Sequence, residues 1–258
     1  MTIERRSFIL GATAILAALP RAAAARHPLS IAYPDKSPPN SWRADRGIMR
    51  GILVDLMAEV AAKAGYDFDP RPLPLPRVQS EVESGATDGM CLVATPARLK
   101  YALPSAEPLT TGHVTMFVRR DSPMHARLEQ VRSLDDLAAT GATVIAIQGN
   151  GWIKHNIESR GIRTVFANGT IGTVRMLIGN RGDVIVDMSH QITWITKHVE
   201  GGAEIEELPA IMDRVDWHLL ISKKSPVAAD MPKLDAAIHD LKANGKFATI
   251  LGKYGIKA

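Results

Sequence analysis

Short apolar segments alternate with amphipathic ones over most of the chain. Leu29–Ala32, Gly89–Ala94 and Val184–Asp187 have the length and the apolar content of buried strands. Gly51–Ala64 has apolar residues at every fourth position and is followed by a glycine, which predicts an amphipathic helix. Strands that alternate with helices predict an α/β fold, in which helices cover largely parallel sheets.

The same alternation resumes after residue 112. Val114–Arg119 and Thr143–Ile147 are predicted strands, and Ser133 is the predicted N-cap of a helix between them. Because Trp217–Ser222 is similar in composition to Val114–Arg119, we expect the chain to cross twice between two α/β units. Further helices are predicted at Val78–Ser84, Trp152–Arg160, Ile171–Ile178, Gln191–His198 and Met231–Tyr254, the last broken at Asn244 and Gly245.

The composition is typical of a globular protein. Of 258 residues, 46% are hydrophobic and 22% are charged, which is enough apolar material for one or two domains. The single cysteine, Cys91, excludes an internal disulfide and a cysteine-built metal site. The histidines lack metal-ligand spacing, and the chain has no phosphate loop, dinucleotide fingerprint or nucleophile elbow. We therefore expect no metal and no cofactor.

Residues 1–25 have the three parts of a secretory signal peptide. Basic Glu4–Ile9 leads into apolar Phe8–Leu19, and the small-residue segment Ala22–Ala25 provides the expected cleavage point. Twelve apolar residues span only about 18 Å as a helix, against a hydrocarbon core of about 30 Å, so a permanent anchor is disfavoured. The pair Arg5 and Arg6 resembles a twin-arginine export signal, with an ordinary Sec signal as the alternative. Either route predicts a periplasmic protein after cleavage.

The net charge gives little support to nucleic-acid binding. The whole chain carries a formal charge of +4, and removal of residues 1–25 takes away three arginines and one glutamate, which leaves +2. The remaining basic residues are dispersed and are not interleaved with aromatic residues. We therefore expect no nucleic-acid partner.

Several short segments occur in an informative order. They are Tyr33–Pro39, Gly51–Leu56, Ser84–Gly89, Thr95–Arg98, Gln148–Gly149, Gly182–Asp187, Asn244–Lys246 and Lys253–Gly255. In this order and at these separations they resemble the family 3 extracellular solute-binding proteins, the bilobal receptors of amino-acid ABC transporters. The resemblance covers nearly the whole chain after residue 25.

This resemblance implies a fold of the periplasmic binding protein-like type II class, with two α/β lobes joined by a two-strand hinge. Residues 26–112 and 216–258 would form lobe 1, and residues 113–215 would form lobe 2. It also implies a monomer that closes around a small carboxylate ligand, such as an amino acid, and that meets an ABC permease of the inner membrane.

Four candidate ligand-binding residues lie where predicted strands end. Arg98 lies just inside a helix start and can hold a carboxylate with its planar guanidinium. Similar proteins use this arginine for the substrate's α-carboxylate. The alternative is a surface arginine that bonds to its own helix. Asp187 ends an apolar strand and matches an acid that receives the ligand's ammonium in relatives, although it could instead cap the next helix. The backbone amides of Asn150 and Gly151 could serve an anion, or the pair could simply form a turn.

Four further candidates depend more on the resemblance. Arg77 follows the segment that usually lines the lobe 1 side of the cleft, where a second arginine would favour a dicarboxylate; a solvated arginine at a helix start is the alternative. Tyr33 and Trp42 could form an apolar wall beneath the ligand, with core packing as the alternative for Trp42. Val93 stands five residues before Arg98, where relatives often have a hydroxyl.

Departures from the family pattern keep more than one function open. Val93 lacks the usual hydroxyl, and Asn40 stands where an aromatic residue is common, which indicates a divergent member whose ligand could be another small carboxylate. The preferred interpretation is a non-enzymatic receptor. The alternative is a periplasmic enzyme of the same fold, similar to cyclohexadienyl dehydratases, in which Asp187 or a nearby glutamate would act as the general acid.

Overall fold

The computed structural model describes residues 28–256. The predicted export signal, residues 1–25, lies outside these residues. Within residues 28–256, every helix is too short or too polar to cross a lipid bilayer.

Strands and helices alternate through the described residues, so the predicted α/β class is confirmed. The strands are β1 Pro28–Pro34, β2 Lys36–Ser37, β3 Ser41–Arg43, β4 Met49–Arg50, β5 Asp67–Leu73, β6 Gly89–Val93, β7 Ala102–Pro104, β8 Thr110–Arg119, β9 Val144–Ile147, β10 Thr164–Ala167, β11 Val184–Met188 and β12 Ile205–Ser222. The helices are α1 Ile52–Lys63, α2 Leu75–Ser84, α3 Pro96–Leu99, α4 His125–Leu128, α5 Leu134–Thr140, α6 Gly151–Asn156, α7 Thr170–Ile178, α8 Ser189–Thr196, α9 Met231–Ala243 and α10 Lys246–Lys253. Short 3-10 turns occur at Asp45–Gly47, Glu158–Arg160, Gly202–Glu204 and Pro226–Asp230.

One mixed sheet runs through the molecule, in the order β10-β9-β11-β8-β12-β6-β1-β5, with β7 paired to the end of β12. Its two ends are parallel, because β1 pairs with β5 and β6, and β9 pairs with β10 and β11, all in the same direction. The central strands β8 and β12 are antiparallel to their neighbours. We call β5, β1, β6 and β7 with their helices and the small sheet β2-β3-β4 the β1 half, and β10, β9 and β11 with their helices the β9 half.

Helices cover both faces of each half, as parallel strands require. In the β1 half, α1, α9 and α10 pack on one face through residues such as Leu56, Ile238 and Phe247, and α2 packs on the other through Val78 and Val82. The β9 half has two clusters of its own, which include Leu137, Val144 and Ile153 on one face and Ile145, Val174 and Leu177 on the other. Trp217 on β12 contacts clusters of both halves.

Several predicted boundaries differ from the structure for local reasons. Ser133 caps α5 as predicted, since its hydroxyl accepts from the Asp136 amide at 3.1 Å. Strand β12 begins well before the predicted Trp217–Ser222. The prediction missed the added segment because it is rich in charged residues and lacks the apolar pattern of a buried strand. Helix α6 ends at Asn156, and a 3-10 turn takes the remainder of the predicted Trp152–Arg160. The small sheet β2-β3-β4 was not predicted.

Candidate functional site

A cavity of about 60 Å³ lies between the β1 half and the β9 half. The carboxyl ends of β6, β9 and β11 open onto it, which is where parallel sheets usually present ligand-binding groups. The β1 half contributes Pro34, Ser37, Leu75, Leu92, Val93 and Arg98 to its walls. The β9 half contributes Ile147, Asn150, Trp152, Val186, Asp187 and Gln191, and β12 adds Val215 and Trp217. The cavity is therefore built jointly by the two halves.

Arg98 is a buried cation in the wall of this cavity. Its side chain is carried by the short helix α3 directly after β6, and the residue is 4% exposed. Nη1 donates to the Val93 carbonyl oxygen at 2.7 Å, and Nε donates to Gln79 Oε1 at 3.2 Å. Burial lowers the pKa of the guanidinium to about 10, and none of the salt bridges among the described residues involves it. The alternative of a surface arginine bonded to its own helix is therefore wrong.

Asp187 is a buried carboxylate in the opposite wall. It is the last residue but one of β11 and is 9% exposed. Its Oδ1 accepts from the adjacent Met188 amide at 2.8 Å, and burial raises the pKa of the carboxyl to about 6. The N-cap of α8 is Met188 and has no side-chain cap bond, so the alternative in which Asp187 caps this helix is wrong. The carboxylate has no cationic partner among the described residues.

Asn150 and Gly151 form the turn from β9 into α6, beside Arg98. The Asn150 side chain caps the helix by accepting from the Trp152 and Ile153 amides at 3.0 and 3.3 Å. Its own backbone amide donates to Ile147, so the prediction that this amide is free for a ligand is wrong. A Cβ on Gly151 would stand 3.3 Å from Arg98 Nη2, which shows how closely the turn approaches the guanidinium.

The remaining candidates divide into one that lines the cavity and three that do not. Val93 is part of the wall. Tyr33 is fully buried in the β1 half, where its hydroxyl donates to the Leu53 carbonyl at 3.3 Å. Trp42 packs against Trp194, with ring centroids 5.9 Å apart, and lines a separate open groove.

Arg77 points away from the cavity. Its side chain is 68% exposed and pairs with Glu81 one helical turn later, at 3.0 Å, so the structure supports the alternative of a solvated arginine.

Sequence reasoning missed three groups at this site. Trp217 lines the cavity, and its buried indole Nε1 has no hydrogen-bond partner among the described residues. Trp152 lies in the opposite wall and donates to Asp213 at 2.6 Å. Gln79 joins the two halves, because its amide nitrogen donates to the Gly149 carbonyl at 2.9 Å while its Oε1 holds Arg98. A polar residue between two buried valines of an amphipathic helix gives no sequence signal for such a role.

A second set of hydrogen bonds holds the halves together next to the cavity. Asn40 Oδ1 can only accept, so His190 Nε2 donates to it at 2.9 Å, and Asn40 Nδ2 donates to Gln191 Oε1 at 3.4 Å. Gln191 Nε2 in turn donates to the Ser37 carbonyl at 3.2 Å and to Thr170 Oγ1 at 3.0 Å. Burial lowers the pKa of His190 to about 4, so this network is uncharged near neutral pH. Together with the bond from Gln79 to the Gly149 carbonyl, these bonds connect the two halves at two places beside the cavity.

The site does not have the chemistry of a thiol enzyme or a metal centre. Cys91 is fully buried, and burial raises the pKa of its thiol to about 12, which leaves it unreactive. Within residues 28–256, no three histidine, cysteine, aspartate or glutamate side chains are grouped as metal ligands.

The order of strands in the sheet and the cavity between the two halves are those of a periplasmic binding protein-like fold of type II. A family model, described as bacterial extracellular solute-binding proteins, family 3, matches residues 29–257, and the chain belongs to this family. No curated protein sequence matches the chain.

Three solved structures illustrate the likeness of fold. A histidine kinase sensor domain with similarity to periplasmic binding proteins has a TM-score of 0.78 and 18% identity, over 89% of this chain and 96% of that one. The ancestral amino acid-binding protein AncCDT-1, a precursor of cyclohexadienyl dehydratase, has a TM-score of 0.73 and 16% identity, over 88% and 95%. The substrate-binding protein of an amino acid ABC transporter has a TM-score of 0.70 and 16% identity, over 88% and 98%.

Proposed function

We propose that this chain is the periplasmic receptor of an ABC importer and that it binds an amino acid in the cavity between its halves. One observation carries the proposal: a buried guanidinium and a buried carboxylate, Arg98 and Asp187, line the same cavity, and neither has a partner of opposite charge among the described residues. Unpaired buried charges are costly, so such a pair is expected where a ligand supplies the missing partners. An α-amino acid has both of them.

The two charges come from opposite halves, which fits binding by closure of a hinge. In this proposal lobe 1 is residues 26–112 and 216–258, lobe 2 is residues 113–215, and β8 with β12 forms the hinge between them. The α-carboxylate is held by Arg98 from lobe 1 and the α-ammonium by Asp187 from lobe 2. The proposal also includes export to the periplasm by residues 1–25, a monomeric state, and delivery of the ligand to an inner-membrane permease. Family membership and the sequence support these parts.

The test is a ligand screen on the purified protein by thermal unfolding and calorimetry. A ligand at one hundred times its dissociation constant stabilises the folded state by about 2.7 kcal/mol, which is readily measured. We expect stabilisation by at least one α-amino acid, weaker stabilisation by the matching hydroxy acid, and none by the matching amine. The proposal is refuted if no amino acid stabilises the protein or if its amine and carboxylate analogues act equally well.

The second candidate function is a dehydratase of this fold. Burial raises the pKa of Asp187 to about 6, so this carboxyl can hold a proton near neutral pH, as a general acid must. Incubation with prephenate and arogenate, followed by detection of the aromatic product, separates the two functions. Turnover that is lost in Asp187→Asn would favour the enzyme, and binding without turnover favours the receptor.

A further inference from the structure

The charged groups of the cavity limit the charge of its ligand. Among the described residues that line it, Arg98 and Asp187 are the ionisable ones. In the proposed function, on which this inference rests, the α-carboxylate and the α-ammonium of the ligand use both. A charged ligand side chain would therefore be buried without a partner, which is strongly unfavourable. Lysine, arginine, aspartate and glutamate are disfavoured as ligands for this reason.

Two of the polar groups of the wall, Asn150 Oδ1 and the side-chain amide of Gln191, are already engaged within the protein. Asn150 Oδ1 accepts from two backbone amides of α6. The amide of Gln191 is bonded to Asn40, to the Ser37 carbonyl and to Thr170. Because these groups are taken, an amide or imidazole on the ligand side chain would lose its water and gain few protein partners in exchange, which weakens binding.

One buried donor in the wall does lack a partner, the indole Nε1 of Trp217. Trp217 pairs with Val93 in the sheet, and the Val93 carbonyl is the group that holds Arg98 Nη1. The indole therefore belongs to the wall that contains the guanidinium.

The rest of the wall is aliphatic or aromatic, and the space is small. The apolar contributors include Leu92, Val93, Ile147, Val186 and Val215, with Trp152. A volume of 10–15 Å³ holds about one water molecule, so about 60 Å³ corresponds to roughly four to six water-sized groups. The upper end of this range matches the roughly six non-hydrogen atoms of alanine; 2-aminobutyrate and valine have one and two more, whereas glutamine, arginine and the large aromatic amino acids are far larger.

We propose that the ligand of this cavity is an amino acid with a small, uncharged aliphatic side chain, of the size of alanine, 2-aminobutyrate or valine. Charge exclusion, engaged polar groups, apolar walls and small volume all favour the same class. The chemical specificity lies in the walls around the amino-acid clamp rather than in the clamp itself.

Calorimetric titration of the purified protein with L-alanine, 2-aminobutyrate, L-valine, L-glutamine, L-arginine and L-glutamate tests this inference. We expect the aliphatic amino acids to bind tightest, glutamine at least tenfold more weakly, and arginine and glutamate at least one hundredfold more weakly. Preference for any of the three polar amino acids refutes this inference and leaves the proposed function intact. If none of the six ligands nor any other amino acid binds, the proposed function itself fails.

A matched pair of variants tests the role of the wall directly. Val93→Thr places a hydroxyl in the cavity with little change of shape, and should raise the affinity for serine or threonine relative to valine at least fivefold. Val118→Thr makes the same change in the buried strand β8 away from the cavity, and should leave this ratio unchanged even if it lowers the melting temperature. An unchanged ratio in Val93→Thr, or an equal change in both variants, would overturn the assignment of the wall.

Discussion

Replacement of Arg98 by methionine should separate ligand affinity from stability. The substitution keeps most of the side-chain length and removes the charge. In the complex, the ligand's carboxylate would then be buried without its cation. Loss of one partner from a buried pair costs about 3–5 kcal/mol, and each 1.4 kcal/mol is a factor of ten, so the dissociation constant should rise by about 100- to 4,000-fold.

The stability of the ligand-free protein should change far less. Burial lowers the pKa of Arg98 from 12.5 to about 10, which corresponds to about 3 kcal/mol of lost solvation that the substitution relieves. Against this, the Val93 carbonyl and Gln79 Oε1 each lose a donor, at about 1–3 kcal/mol apiece. The effects oppose each other, so urea unfolding without ligand should give a free energy within about 3 kcal/mol of the wild type.

Arg77→Met is the matched control for this experiment. It removes the same charge from an exposed side chain whose pair with Glu81 contributes about 0.3–0.5 kcal/mol, so affinity should not change. Arg98→Lys retains a point charge without the planar fork and should fall between Arg98→Met and the wild type. An affinity for Arg98→Met within threefold of the wild type would show that the carboxylate is held elsewhere, and the proposed clamp would be wrong.

Three further predictions concern the groups around Arg98. Burial raises the pKa of Asp187 from 3.8 to about 6, so the free protein has its full stability from this group below about pH 4 and loses about 3 kcal/mol of it as the pH rises through 6. Amino-acid binding needs the ionised carboxylate, so affinity should rise up to tenfold per pH unit between pH 5 and 6. Asp187→Asn should abolish the first trend in urea unfolding and the second in calorimetry. Gly151→Ala presses a Cβ against Arg98 Nη2 and Thr95, and should weaken binding by about 1 kcal/mol, whereas Gly252→Ala, where nothing lies within 4 Å, should not; equal effects would contradict the close approach. Asn40→Ala leaves His190 Nε2 and Gln191 Oε1 without their partner across the halves and should weaken binding by about 1–3 kcal/mol although Asn40 does not line the cavity; unchanged affinity would mean that these bonds do not support closure.

Local signals were sufficient for most elements of the fold. Apolar runs such as Val184–Asp187 and the fourfold spacing of Gly51–Ala64 correspond to β11 and α1, because burial of strands and amphipathic helices leaves a periodic pattern in the sequence. The predictions failed where burial is uneven. Much of β12 has charged residues at exposed positions, such as Glu207, Arg214 and Asp216, and β2, β3 and β4 are too short to show any period.

The candidate site was predictable only where a residue's chemistry conflicts with its local pattern. Asp187 at the end of an apolar strand and Arg98 just after one are such conflicts, and both line the cavity. Gln79, Gln191 and Trp217 have no such conflict, because their roles depend on contacts between segments that are distant in the sequence. Arg77 resembled Arg98 in its position at a helix start, but the direction of its side chain depends on the rotation of α2 against the sheet, which the sequence pattern does not fix.

The position of the two unpaired charges connects ligand binding with contact between the halves. When the halves meet without a ligand, the guanidinium of Arg98 and the carboxylate of Asp187 both lose water and gain no counter-charge, so the empty contact is penalised. The hydrogen bonds of Asn40 and Gln191 across the halves oppose this penalty. A simple carboxylate would neutralise Arg98 but leave Asp187 buried and charged, and an amine would do the reverse. A zwitterion relieves both penalties in one step, and for this reason we expect an amino acid, rather than a monocarboxylate, to stabilise the closed arrangement.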